Sequence, residues 1–129
     1  MKDKKESLWK SFRHAAAGIK RGVIVERNLL IHVVIMCLVV IAGLVFSISV
    51  YEWLTCVLLF GLVISLELVN TAIENTVDIA TSRFHEKAKI AKDTAAGAVL
   101  VTTIVAIIIG LIIFVPKILD LFGYVKEPL

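Results

Sequence analysis

Apolar residues fall into three long runs separated by short polar links. The first extends from Leu29 to Phe46 and is broken only by His32. The second starts at Trp53 and carries no charge as far as Leu66. The third runs from Ala95 to Val115, with Thr102 and Thr103 as its polar interruptions. The first and third fit the roughly 20 residues that an α-helix needs to cross a bilayer, and the second does so once it is continued as a helix past Leu66. With their helical continuations they predict membrane spans over about 29–46, 53–79 and 94–116. A different pattern precedes them. In "SLWKSFRHAAAGIKRG", Leu8, Phe12, Ala15 and Ile19 recur at helical spacing, while Lys10, Arg13, Lys20 and Arg21 fall on the other side. That is the signature of an amphipathic helix, about 7–22, lying on an anionic membrane surface. The fold expected is an all-α integral membrane protein: one surface helix and three transmembrane helices in a single domain spanning 1–129.

Composition agrees. The chain has 129 residues, of which 59% are hydrophobic, and its mean hydropathy is +0.93. That is too apolar for a soluble domain of this size. The first apolar run begins only at Leu29, so no cleaved secretory leader is expected. Cys37 and Cys56 both lie in apolar runs and read as reduced, small hydrophobes. No nucleic-acid partner is expected.

Charge orients the spans. Lys2, Lys4, Lys5, Lys10, Arg13, Lys20, Arg21 and Arg27 precede the first run, and Arg83, Lys87, Lys89 and Lys92 lie in "TSRFHEKAKIAKD" between the second and third. The link "SISVYE" carries no cation. The positive-inside rule puts the N-terminus and the second loop in the cytoplasm and the C-terminus outside, with Lys117 and Lys126 as a weak countersignal.

The second span does not end as a span should. "ELVNTAIENTVD" places Glu67, Asn70, Thr71, Glu74 and Asp78 where leucines would be expected. At about 100° per residue all five lie on one helical face, within roughly 60° of Glu67. They form a polar stripe leading out of the membrane. An acid at the centre of a span costs about 2.5–3.5 kcal/mol on insertion scales, so three in a stripe call for a cation, a metal or protonation. Structural pairing with Lys, Arg or His of another helix is the bland reading. Intramembrane acids more often line a pathway or a site. Lys87, Lys89 and Lys92 are close by in sequence, and Asp93 is placed to cap the third helix. Acids able to hold Mg²⁺, a lysine and free helix-start amides together suit a nucleoside triphosphate. No Walker A loop and no G-x-G-x-x-G is present. A proton or cation relay in a small transporter is a rival use of the same stripe. It leaves the second-loop "AKD" unexplained, and no internal repeat is visible. A structural or regulatory membrane subunit would leave the buried acids without a purpose.

"ELVNTAIENTVD" followed by "AKIAKDTAAGAV" resembles the signature of the prokaryotic-type diacylglycerol kinases, over almost the whole chain. "ERNLLIH" and "FRHAAAG" look more like the Gram-positive branch, which acts mainly on undecaprenol. The resemblance implies a homotrimer in a bacterial plasma membrane that transfers the γ-phosphoryl of MgATP to a lipid hydroxyl. It implies Glu67 as general base, with Asn70 beside it in the catalytic motif. It implies Glu26 and Glu74 as the carboxylates that hold the metal, and Asp78, His85, Lys92 and Asp93 at the nucleotide. Diacylglycerol is the alternative acceptor. His14 and His32 read as packing or headgroup histidines.

Overall fold

The computed structural model describes residues 8–123. It consists of four helices: α1 (Leu8–Val25), α2 (Arg27–Val45), α3 (Val50–Ala80) and α4 (Glu86–Leu121). The last three are long and apolar enough to cross a membrane. Most of their large apolar side chains face outward, including Leu38, Ile41, Leu58, Leu100 and Ile112. That is how a chain solvated by lipid rather than water buries its backbone: each polar peptide group is satisfied within its own helix.

Each helix runs beyond the apolar stretch that foretells it, because polar flanks with good helix propensity carry the hydrogen-bond ladder onward. The effect is largest at α4. Its N-cap is His85, and the helix already includes "EKAKIAKD". Lys89 and Asp93 pair at i,i+4 on its surface, a spacing that supports an exposed helix. Asp93 therefore lies two turns inside the helix, and the expectation that it caps α4 is corrected. The link between α3 and α4 shrinks to Thr81–His85.

Helices α3 and α4 form an antiparallel hairpin, the most extensive pairing in the molecule. Ion pairs close both ends: Lys92 Nζ to Asp78 Oδ1 at 2.9 Å and Lys117 Nζ to Glu52 Oε1 at 3.3 Å. The shared register of these two pairs sets the level of every residue between them. Helix α2 packs on α3, and α1 folds back against α2 and α3. Among the described residues, α2 and α4 make no close backbone approach to each other. They flank α3 on two sides and leave a cleft with α3 as its floor.

Two local features fix these placements. Ser49 caps α3 in a capping box: its hydroxyl accepts from Glu52 N–H, and the Glu52 carboxylate accepts from Ser49 N–H at 2.6 Å. Two otherwise orphaned amides are thereby satisfied. The turn before it needs close contact. A Cβ at Gly43 would lie 2.7 Å from Trp53 Cη2 and 3.0 Å from Ile48 Cδ1. Gly43→Ala should force the ring aside and destabilise the protein by about 1–3 kcal/mol, the usual cost of overpacking. The check is the unfolding midpoint in detergent, and a midpoint equal to that of the wild type would contradict this packing.

Candidate functional site

The polar stripe of α3 grades from buried to exposed along its length. Glu67 and Asn70 are buried at 3% and 6% exposure. Thr71 and Glu74 are half-buried, and Asp78 is exposed. From Asp78 to Glu67 is about three helical turns, roughly 16 Å of axial rise. The five residues share a face, but they belong to separate levels.

At the deep level, the Glu67 carboxylate meets His32 of α2, with Nε2 3.2 Å from Oε1. The same hollow is walled by Asn28 of α2, Asn70 of α3, and Ala96, Val99 and Thr103 of α4. His32 and Glu67 are its titratable residues. One turn along α3, Asn70 Nδ2 donates to Glu74 Oε1 at 3.1 Å. Asn70 thus fixes the half-buried carboxylate, while its own Oδ1 is left buried and without a partner. Thr103 Oγ1 is in the same condition.

At the exposed level, Asp78, His85, Lys92 and Asp93 line one hollow together with Arg83 and Lys89. The Asp78–Lys92 pair joins the C-terminal end of α3 to the N-terminal end of α4. Three cations and two carboxylates around one opening can hold an anion against the α4 start, where unbonded helix amides add positive potential.

Glu26 precedes the residues of both levels in sequence and stands at the break between α1 and α2. It is the N-cap residue of α2, extended at φ −92° and ψ 112°, and its side chain makes no cap hydrogen bond. It lines a hollow with Arg21 of α1 and with Thr71 and Asn75 of α3. Glu74 is not among the walls of that hollow; its carboxylate is held by Asn70. Among the described residues no three His, Cys, Asp or Glu side chains gather closely enough to hold a metal unaided. A cluster of three such ligands is not required of a Mg²⁺ site that is completed by a nucleotide. That ion takes one or two protein carboxylates and fills its other positions with phosphate oxygens and water.

His32, read from the sequence as a packing or headgroup histidine, packs against Glu67, a partner that the sequence did not name for it. As the sole polar break in the first apolar run, it carried a signal. What could not be seen was that it faces Glu67 across the α2–α3 contact. Thr103 was noted only as an interruption of the third run.

Three membrane-length helices, a buried acid at the foot of a cleft and a charged opening at the helix ends define an all-helical membrane protein with a polar site between its helices. Residues 13–114 match the family described as prokaryotic diacylglycerol kinase. The chain is 49% identical over 110 residues to the undecaprenol kinase of Bacillus subtilis (strain 168), covering 85% of this chain and 89% of that enzyme. It is 40% identical over 116 residues to the diacylglycerol kinase of Synechocystis sp. (strain ATCC 27184 / PCC 6803 / Kazusa), covering 89% of this chain and 66% of that enzyme. The chain belongs to the prokaryotic diacylglycerol kinase family and is an ATP-dependent lipid kinase. The transporter and structural-subunit readings fall with that membership.

Proposed function

We propose that this kinase phosphorylates undecaprenol, giving undecaprenyl phosphate, from the cytoplasmic face of a bacterial plasma membrane. The observation that carries the proposal is the 49% identity, over 89% of its length, to a protein named undecaprenol kinase. The identity to a diacylglycerol kinase supports a second reading with diacylglycerol as acceptor. Initial rates with the two lipids side by side, in identical micelles, decide between them. A rate with diacylglycerol equal to or above that with undecaprenol would overturn the first reading.

In this scheme the two levels of the stripe serve substrates from different phases. The lipid hydroxyl approaches from the membrane to Glu67. ATP arrives at the opening walled by Asp78, His85, Lys92 and Asp93, where Lys92 offsets charge on the phosphate oxygens. Glu67 accepts the hydroxyl proton, as a carboxylate acceptor-only group can. The acceptor oxygen then bonds the γ-phosphorus. The bond from that phosphorus to the bridging oxygen of ADP breaks, and ADP leaves with the electron pair. Asn70 keeps Glu74 oriented. Glu26 and Glu74 would hold Mg²⁺, which when bound supplies electrostatic neutralisation of the phosphates. The α1 helix lies on the membrane surface, its Leu8, Trp9 and Phe12 exposed and available for burial in lipid. The working form is a homotrimer.

Glu26→Ala and Glu74→Ala should each weaken ATP binding and shift the Mg²⁺ titration of activity to higher concentration, by about tenfold or more for loss of a metal-bound carboxylate. Variants that both retain the wild-type Mg²⁺ curve would remove these residues from the metal site.

A further inference from the structure

The cleft between α2 and α4 has chemistry that phosphoryl transfer alone does not use. Its apolar part is lined by Met36 and Val39 of α2, Phe60 and Val63 of α3, and Ile107 and Phe114 of α4. Its polar foot holds Glu67. His32 and Thr103 border both parts, so the two are continuous. The α3–α4 register explains why Thr103 stands there. Counting from the Asp78–Lys92 pair, Glu67 and Thr103 are reached after the same number of residues on the two antiparallel helices. Thr103 is therefore level with the buried acid.

The state of its hydroxyl is informative. A threonine in a helix ordinarily turns its hydroxyl back to the carbonyl four residues earlier. Thr102 does so, donating to the Ala98 carbonyl at 3.0 Å. Thr103 Oγ1 has no partner although it is buried. A buried hydroxyl without a hydrogen bond loses its contact with water and gains nothing in return, and in a hollow beside Glu67 a bound hydroxyl would relieve it.

We propose that Thr103 and His32 complete the acceptor site: Thr103 donates a hydrogen bond to the alcohol oxygen, and His32 holds the Glu67 carboxylate against the alcohol hydrogen. The acceptor's chain lies in the α2–α4 cleft. The proposal rests on the lipid-kinase reading of Glu67. An alcohol oxygen has one hydrogen and two lone pairs. With the hydrogen on Glu67 and one lone pair taken by Thr103, the second lone pair is free for phosphorus. The class of acceptor follows from the walls. Beyond His32 and Thr103 the cleft offers no charged side chain and no hydroxyl. A hydroxyl carried directly on hydrocarbon, as in a polyprenol, meets only apolar surface there. The ester carbonyls of a diacylglycerol would be desolvated without donors. His32 is thus a positioning residue, Thr103 binds the alcohol oxygen, and the apolar walls of the cleft set which alcohols bind.

The test uses the full-length enzyme in micelles, with a short polyprenol and a diacylglycerol as paired acceptors. Thr103→Val keeps shape and removes the hydroxyl. It should raise the polyprenol KM about tenfold, the size of one neutral hydrogen bond, while the KM for ATP stays unchanged, and Thr103→Ser should restore it. His32→Leu should lower kcat about tenfold with both KM values little changed, and His32→Gln, which keeps a donor, should recover part of the loss. A polyprenol bearing a benzophenone at its tail should label cleft residues such as Met36 and Phe60. Unchanged polyprenol KM in Thr103→Val, or His32→Gln as slow as His32→Leu, overturns the assignment of that residue. Labelling confined to outward-facing residues such as Leu38 overturns the cleft as the chain's path. A wild-type enzyme that phosphorylates neither lipid would instead overturn the kinase reading of Glu67, and with it this proposal.

Discussion

Glu67→Gln is expected to lose at least about 10²-fold in lipid phosphorylation, the lower range for a general base, with nucleotide binding little changed. An amide of the same shape fills the hollow and can still meet His32, but it cannot take the hydroxyl proton. The burial of Glu67 sharpens the expectation. At 3% exposure the carboxylate has no bulk water at hand to stand in as proton acceptor. Binding at the charged opening should be insulated from the change, because that opening lies about three helical turns away. A Gln variant that turns over at the wild-type rate at neutral pH would remove Glu67 from the chemistry.

Lys92→Leu is expected to produce a loss of similar size, about 10²-fold, as for other groups that face developing charge on a reacting oxygen. The loss should appear in phosphoryl transfer from ATP and should not alter acceptor KM. The placement of Lys92 makes a second outcome informative. Within one chain it is held by Asp78, roughly 16 Å along the hairpin from the level of Glu67. If a neighbouring subunit brings the two functions together, then Glu67→Gln and Lys92→Leu subunits, each inactive alone, should regain part of the activity when mixed, since some boundaries keep one intact copy of each residue. Mixed oligomers with proven subunit exchange that stay as inactive as either parent would argue for a site within one chain.

Periodicity alone sufficed to read the three membrane-length helices and the shared face of Glu67, Asn70, Thr71, Glu74 and Asp78, because one helix's geometry decides both. The start of α4 was harder. "HEKAKIAKD" looks like a charged loop on hydropathy, yet Ala88, Ala91 and the Lys89–Asp93 spacing favour helix, and helix is what forms. Contacts between helices were out of reach. That His32 meets Glu67 depends on how α2 crosses α3. That Thr103 stands level with Glu67 depends on the α3–α4 register, which two ion pairs set. Four residues foreseen around a nucleotide, Asp78, His85, Lys92 and Asp93, do line a common hollow. Glu26 and Glu74, foreseen as a pair, line no common hollow here: Glu26 sits beside Thr71 and Asn75, and Glu74 is held by Asn70.

The two ion pairs that close the α3–α4 hairpin also make it a gauge. From Glu52 to Asp78 the helix rises roughly 39 Å, near the 40–45 Å thickness of a bilayer with its headgroups. With charges pinned at both ends, a thinner membrane can be matched only by leaning the hairpin or deforming the lipid around it. Leaning lowers the depth of Glu67 relative to the plane where lipid hydroxyls gather. Turnover in vesicles of graded acyl length should therefore peak where the bilayer matches the hairpin and fall on either side. A flat profile would mean that the hairpin's tilt does not reach the acid.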